Sequence, residues 1–159
     1  LLFGVYGGCR SLVEERGPDW VELRTEALTL LQREERLQQI VKLVGPDVLP
    51  DGQRLVLFIA EIMKDGFLAQ SAFDENDMYC TPERQVTLLR IILTLYHRGR
   101  DLIEGGVPLM RIRSLGCVPQ ILRAKSAFGN TELEKLTELT QRVIEETEAL
   151  AKEFTREAT

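Results

Sequence analysis

The chain has 159 residues, of which 44% are hydrophobic and 28% are charged, and its formal net charge at pH 7 is −5. This length suits one compact domain, and the apolar fraction is too high for an intrinsically disordered protein. Because neutralising phosphates requires a basic face, the negative charge argues against nucleic acid as the principal partner.

The cysteine and histidine content indicates a reducing compartment and no metal site. Cys9, Cys80 and Cys117 form no C-x-x-C pair, and an odd number cannot form a complete set of disulfides. His97 is the single histidine, so a zinc site of the usual kind is not expected. No apolar run approaches the roughly 20 residues that span a bilayer. We therefore expect a cytoplasmic chain that does not cross a membrane.

Residues 1–17 are apolar but lack both an initiator Met and the basic n-region of a signal peptide. We interpret them as the remnant of an upstream nucleotide-binding domain or linker, and residues 18–159 as a helical domain. Apolar or small residues recur every three or four positions from Trp20 to Val44, with Glu34 interrupting. This spacing predicts a long helix that ends at Gly45.

Prolines and turn residues divide the rest of the chain into further helices. Pro46 and Pro50 cannot continue the first helix, because each lacks an amide donor and clashes with the preceding turn. A second helix, apolar on almost every side, is predicted from Pro50 or Asp51. Thr81 and Pro82 form a strong start for a third. No useful alternation of period 2 follows residue 6, so the sequence predicts an all-α bundle of about five to six helices.

Charge is distributed unevenly along the bundle. Residues 84–125 contain eight basic and two acidic side chains, whereas residues 131–157 are mainly acidic. These segments are interpreted as solvated faces, and the alternative is a basic surface that binds an acidic protein partner.

Enzymatic motifs are missing from the sequence. None of the five lysines follows a glycine, so the G-x-x-x-x-G-K-[ST] loop that cradles nucleotide phosphates is absent. The G-x-S-x-G, H-E-x-x-H and G-x-G-x-x-G motifs are absent too. No catalytic residue is predicted, and we interpret the chain as a binding or mechanical module.

Several stretches carry a family resemblance: Ile-Val-Lys-Leu-Val-Gly-Pro-Asp-Val-Leu at 40–49, Phe-Leu-Ala-Gln-Ser-Ala-Phe at 67–73, Tyr-Cys-Thr-Pro-Glu at 79–83 and Gly-Val-Pro-Leu at 106–109. Together they resemble the C-terminal helical domain of the catalytic A-type chain (the alpha chain) of V-type (A/V-type) rotary ATP synthases. The likeness covers about residues 19–115.

The resemblance implies a part in a proton- or sodium-translocating rotary ATP synthase or ATPase. It implies ATP or ADP with Mg²⁺ as ligands of the parent protein, and non-catalytic B subunits and central stalk subunits as partners in an A3B3 ring. Membrane association would come only through that complex, as part of its soluble head. Since the phosphate-binding loop is absent here, this chain alone is expected to be inactive and to bind no nucleotide tightly.

The resemblance also implies a contact with the rotor. In the related β subunit of F-type enzymes, an acidic loop between the same two helices bears on the rotating shaft. The matching turn here comprises Asp47, Val48, Leu49, Pro50 and Asp51. Because only the two aspartates keep the acidic character, we expect this turn to push sterically rather than through specific ion pairs.

Two aromatic residues are the candidate nucleotide contacts. Phe73 and Tyr79 match two aromatics that border the adenine of bound nucleotide in the F-type relatives, and a base can stack on such rings. A place in the core of a loop is the alternative. For the chain as a whole, a stand-alone helical adaptor that uses its acidic last helix, or the same domain of a B subunit, stays open.

Overall fold

The computed structural model describes residues 19–68, 82–127 and 132–157. Within these ranges there is no strand, and the prediction of an all-α bundle with about five to six helices is confirmed. Six α-helices occur in the described residues: α1 Trp20–Val44, α2 Asp51–Met63, α3 Pro82–Glu104, α4 Leu109–Arg113, α5 Cys117–Ala127 and α6 Leu133–Glu157. A 3₁₀ turn, Pro46–Val48, joins α1 to α2, and a π-helical turn, Lys64–Leu68, extends α2.

Helix α3 lies at the centre of the bundle. It packs most extensively against α6 and α2, and α1 packs across both α2 and α3. Both α2 and α3 bury side chains around most of their circumference, as the apolar sequence of α2 predicts. The long helices α1 and α6 each bury one stripe and expose the rest.

Close approach between helices requires a glycine on α3. A Cβ atom on Gly99 would lie 3.2 Å from Cδ1 of Leu55, in the first turns of α2, and 3.7 Å from Cγ2 of Ile112 in α4. Both of these partners are fully buried. A larger side chain at this position would therefore separate α2 and α4 from α3.

The break in the apolar spacing of α1 has a structural role. Glu34 is buried, and the Nζ atom of Lys64 donates hydrogen bonds to both of its carboxylate oxygens, at 2.8 and 2.9 Å. A buried carboxylate requires such a partner. The pair therefore joins α1 to the π-helical turn that follows α2.

Part of the basic segment faces the acidic last helix. Arg98 on α3 pairs with Glu148 on α6 at 3.2 Å, and Arg111 on α4 pairs with Glu153 at 2.9 Å and Glu157 at 3.8 Å. These pairs are partly exposed, so each contributes at most about 1 kcal/mol. They match the two oppositely charged segments to each other within one chain.

Candidate functional site

The turn between α1 and α2 depends on a glycine conformation. Gly45 ends α1 with φ 87° and ψ 162°, and its amide donates to the carbonyl of Val41 at 2.9 Å. Residues with side chains rarely adopt these angles. The chain then makes the 3₁₀ turn, in which the Leu49 amide donates to the carbonyl of Pro46 at 3.2 Å, and Pro50 leads in an extended conformation into α2.

The five residues of the predicted rotor contact differ in exposure. The side chains of Asp47, Val48 and Pro50 are exposed, whereas Leu49 is only 6% exposed and belongs to the core. We call residues 46–50 the tip turn. Its exposed residues form the outer surface, and Leu49 anchors the turn from beneath.

Asp51, half-buried at the start of α2, holds the tip turn to a second helix. Its Oδ2 atom accepts a hydrogen bond from the amide of Leu109 at 2.9 Å, and its Oδ1 atom lies 3.4 Å from Nη1 of Arg54. Leu109 is the first residue of α4, where amides have no partner within the helix. The preceding residue, Pro108, makes no side-chain cap. The carboxylate of Asp51 therefore caps α4 from 58 residues away.

Sequence reasoning places Asp51 on the contact surface and misses this capping role. A signal was present in the sequence, because proline at the N-cap of a predicted helix cannot supply a capping oxygen. The helix must then obtain an acceptor from elsewhere in the fold. Which acceptor it obtains depends on how α2 and α4 pack.

A cleft of about 590 Å³ lies beside the tip turn, with Asp47 on its rim. Its other charged residues include Glu34, Glu61, Asp65 and Arg113, and the guanidinium carbon of Arg113 lies 4.9 Å from the centre of the Phe58 ring. The cleft therefore presents charges of both signs. It lacks the concentrated basic charge or amide cradle that binds nucleotide phosphates.

Residues 11–112 of the chain match the family described as the C-terminal domain of V and A type ATP synthase. The chain belongs to this family. The match includes α1, the tip turn, α2, α3 and most of α4. The resemblance carried by the stretches at 40–49, 67–73, 79–83 and 106–109 is thereby confirmed.

Individual relatives of this domain are alpha chains, also called A subunits, of such synthases. The chain is 43% identical to a V-type ATP synthase alpha chain of Halothermothrix orenii, over 84% of the chain and 23% of the relative. It is 42% identical to the A subunit of the A-type ATP synthase of Methanopyrus kandleri, over 88% and 24%. It is 40% identical to the corresponding protein of Pyrococcus horikoshii, over 81% and 13%. The chain thus spans about a quarter or less of the length of these curated relatives.

Family membership and these relatives favour a domain of the catalytic alpha chain over a separate adaptor or a B-subunit domain. None of the helices in the described ranges combines the length and apolar character needed to cross a bilayer. Phe73 and Tyr79, the predicted adenine contacts, lie outside the described residues, as do residues 1–17. The adenine contact and the interpretation of residues 1–17 as a remnant of an upstream domain or linker stay predictions.

Proposed function

We propose that this domain is the mechanical lever of an ion-translocating rotary ATP synthase. In the complete alpha chain, nucleotide binding and release would swing the helical bundle, and the tip turn would exchange force with the central shaft. The observation that carries this proposal is the exposed tip turn at the end of two packed helices, in a domain of this family.

The packing of the tip turn suits the transfer of force. Leu49 is buried beneath the turn, and the Asp51 carboxylate joins the start of α2 to α4. Helix α1 has 25 residues and is about 37 Å long at roughly 1.5 Å per residue. A force on the tip turn would therefore reach α4 and the bundle core instead of bending a loosely attached loop.

The chemistry would reside in other parts of the alpha chain. ATP or ADP with Mg²⁺ would bind there, with non-catalytic B subunits completing an A3B3 ring, and the central stalk would link this soluble head to proton or sodium transport. This chain has no phosphate-binding loop. We expect no ATP hydrolysis by the purified chain, and measurable turnover would contradict that expectation.

We also propose that Phe73 and Tyr79 border the adenine of bound nucleotide in the assembled complex. Replacing either residue with Ala would remove a stacking contact worth about 1–3 kcal/mol in nucleic-acid complexes. We expect a nucleotide dissociation constant raised about 5- to 150-fold, which corresponds to that energy range. An unchanged dissociation constant would assign both rings to the core instead.

The lever proposal is tested by softening the outer surface of the tip turn alone. Replacing Asp47 and Val48 with Gly in the assembled complex leaves the buried Leu49 and the capping Asp51 in place. We expect lower torque in single-molecule rotation, with unchanged nucleotide affinity and ring assembly serving as the controls. Torque equal to that of the wild type would show that the tip turn does not push the shaft.

A further inference from the structure

Exposed apolar side chains are concentrated near the tip turn. Among the described residues, seven large hydrophobic side chains are at least 40% exposed, and four of them lie within nine positions. These four are Ile40 (42%), Leu43 (85%), Val44 (56%) and Val48 (63%), and we call them the apolar ridge. The other three are scattered over α1, α4 and α5. Such a concentration is typical of an interaction surface.

The ridge continues along α1 with the spacing of a helix-packing seam. Arg36, Ile40, Leu43 and Asp47 are separated by four, three and four residues, which is the repeat that one helix presents to another. This seam lies away from the stripe that α1 buries in the bundle, which includes Trp20 and Leu37. Helix α1 therefore carries a second, exposed seam over its last turns.

The charge at the upper end of the ridge is unmatched. Arg36 is exposed and makes no hydrogen bond or ion pair with any other described residue. Arg33, one turn earlier, donates a hydrogen bond to the hydroxyl of Tyr96 at 3.3 Å and so faces the bundle. A helix lying on the ridge would place a residue opposite Arg36, and a carboxylate there would complement its charge.

We propose that the apolar ridge is a docking seam for one α-helix of the central shaft, which presents an apolar stripe to Leu43 and Val44 and a carboxylate to Arg36. The identification of the shaft rests on the proposed function, since Val48 belongs to both the ridge and the tip turn. The proposal extends that contact along α1 and assigns it an apolar character. The two aspartates of the tip region would then flank the contact instead of forming it.

The direct test is site-specific photocrosslinking in the assembled complex. The crosslinker p-benzoylphenylalanine replaces Leu43, and the matched control replaces Leu122, an exposed leucine on α5. We expect at least tenfold more crosslinking to the shaft from position 43, at a helical segment with apolar residues at 3/4 spacing. Equal yields from the two positions, or capture of a B subunit or a second alpha chain from position 43, would overturn the proposal.

The same crosslinker at Asp47 separates this inference from the lever proposal. A shaft crosslink from position 47 without one from position 43 would retain the lever and refute the docking seam. If neither position reaches the shaft, both proposals are refuted.

A charge reversal tests the predicted carboxylate. Lys42→Glu is the matched control for Arg36→Glu, because both residues are exposed and their side chains point about 120° apart around α1. We expect Arg36→Glu to lower the crosslinking yield at position 43 about tenfold, while Lys42→Glu leaves it within twofold. Equal losses in the two variants would reduce the effect to overall charge and contradict a specific carboxylate opposite Arg36.

Discussion

The hydrogen bond between Asp51 and Leu109 is the contact that holds the tip turn to α4, and Asp51→Ala removes it. The lost bond has an ionised acceptor, and such bonds contribute about 1.5–3 kcal/mol. The Leu109 amide would be left at the buried start of α4, where Leu109 is 3% exposed. The partly exposed pair with Arg54 adds no more than about 1 kcal/mol. We therefore expect the free energy of unfolding to fall by about 2–3 kcal/mol.

Urea unfolding of the chain measures this loss, with Asp47→Ala as the matched control. Asp47 lies on the same turn, but it is exposed and makes no hydrogen bond or ion pair with the other described residues. Its replacement should change the free energy of unfolding by less than about 0.5 kcal/mol. Both variants should keep the wild-type dependence on urea concentration. If the two aspartates cost the same, Asp51 does not brace the tip turn and the path of force to α4 is wrong.

Three further predictions use urea unfolding. Gly45→Ala should lose about 1–3 kcal/mol because of its backbone angles; wild-type stability would contradict this. Gly52→Ala, with no atom within 4 Å of the new Cβ, should gain about 0.5–1 kcal/mol, whereas Gly99→Val should lose at least about 1–3 kcal/mol by overpacking; matching effects would refute the close approach at Gly99. Burial, and then the Glu146 carboxylate, raise the pKa of the Cys117 thiol from 9.0 to about 12. The unfolded thiol loses its proton first, so stability should fall by up to about 1.4 kcal/mol per pH unit above pH 9. Cys117→Ala should show a shallower fall between about pH 8 and 10.5, and an identical slope would contradict the raised pKa.

Helix ends were predictable from sequence because local sterics determine them. Gly45 ends α1 and Pro82 starts α3 where the sequence pattern predicts. Glycine permits backbone angles that close a helix, and proline fits the first helical position. These effects operate within a few residues, so they hold whatever the rest of the fold does.

The functions of single side chains near the tip turn were harder to predict, because they depend on distant partners. Asp51 caps α4 across 58 residues, and Glu34 is buried against Lys64 across 30. Val44 follows the apolar spacing of α1 but is 56% exposed, since α1 ends beyond the part of the bundle that could cover it. The apolar count of a helix therefore includes residues of its outer surface as well as its core.

The central claim is that the tip turn touches a moving shaft, and a reversible crosslink tests it most directly. A cysteine replacing Val48, paired with cysteines placed along the shaft of the assembled complex, should form a disulfide in only a fraction of the rotary positions. We predict that oxidation stops ATP-driven rotation and that reduction restores it. A complex that forms the disulfide and still rotates, or one that forms none at any shaft position, would contradict the claim.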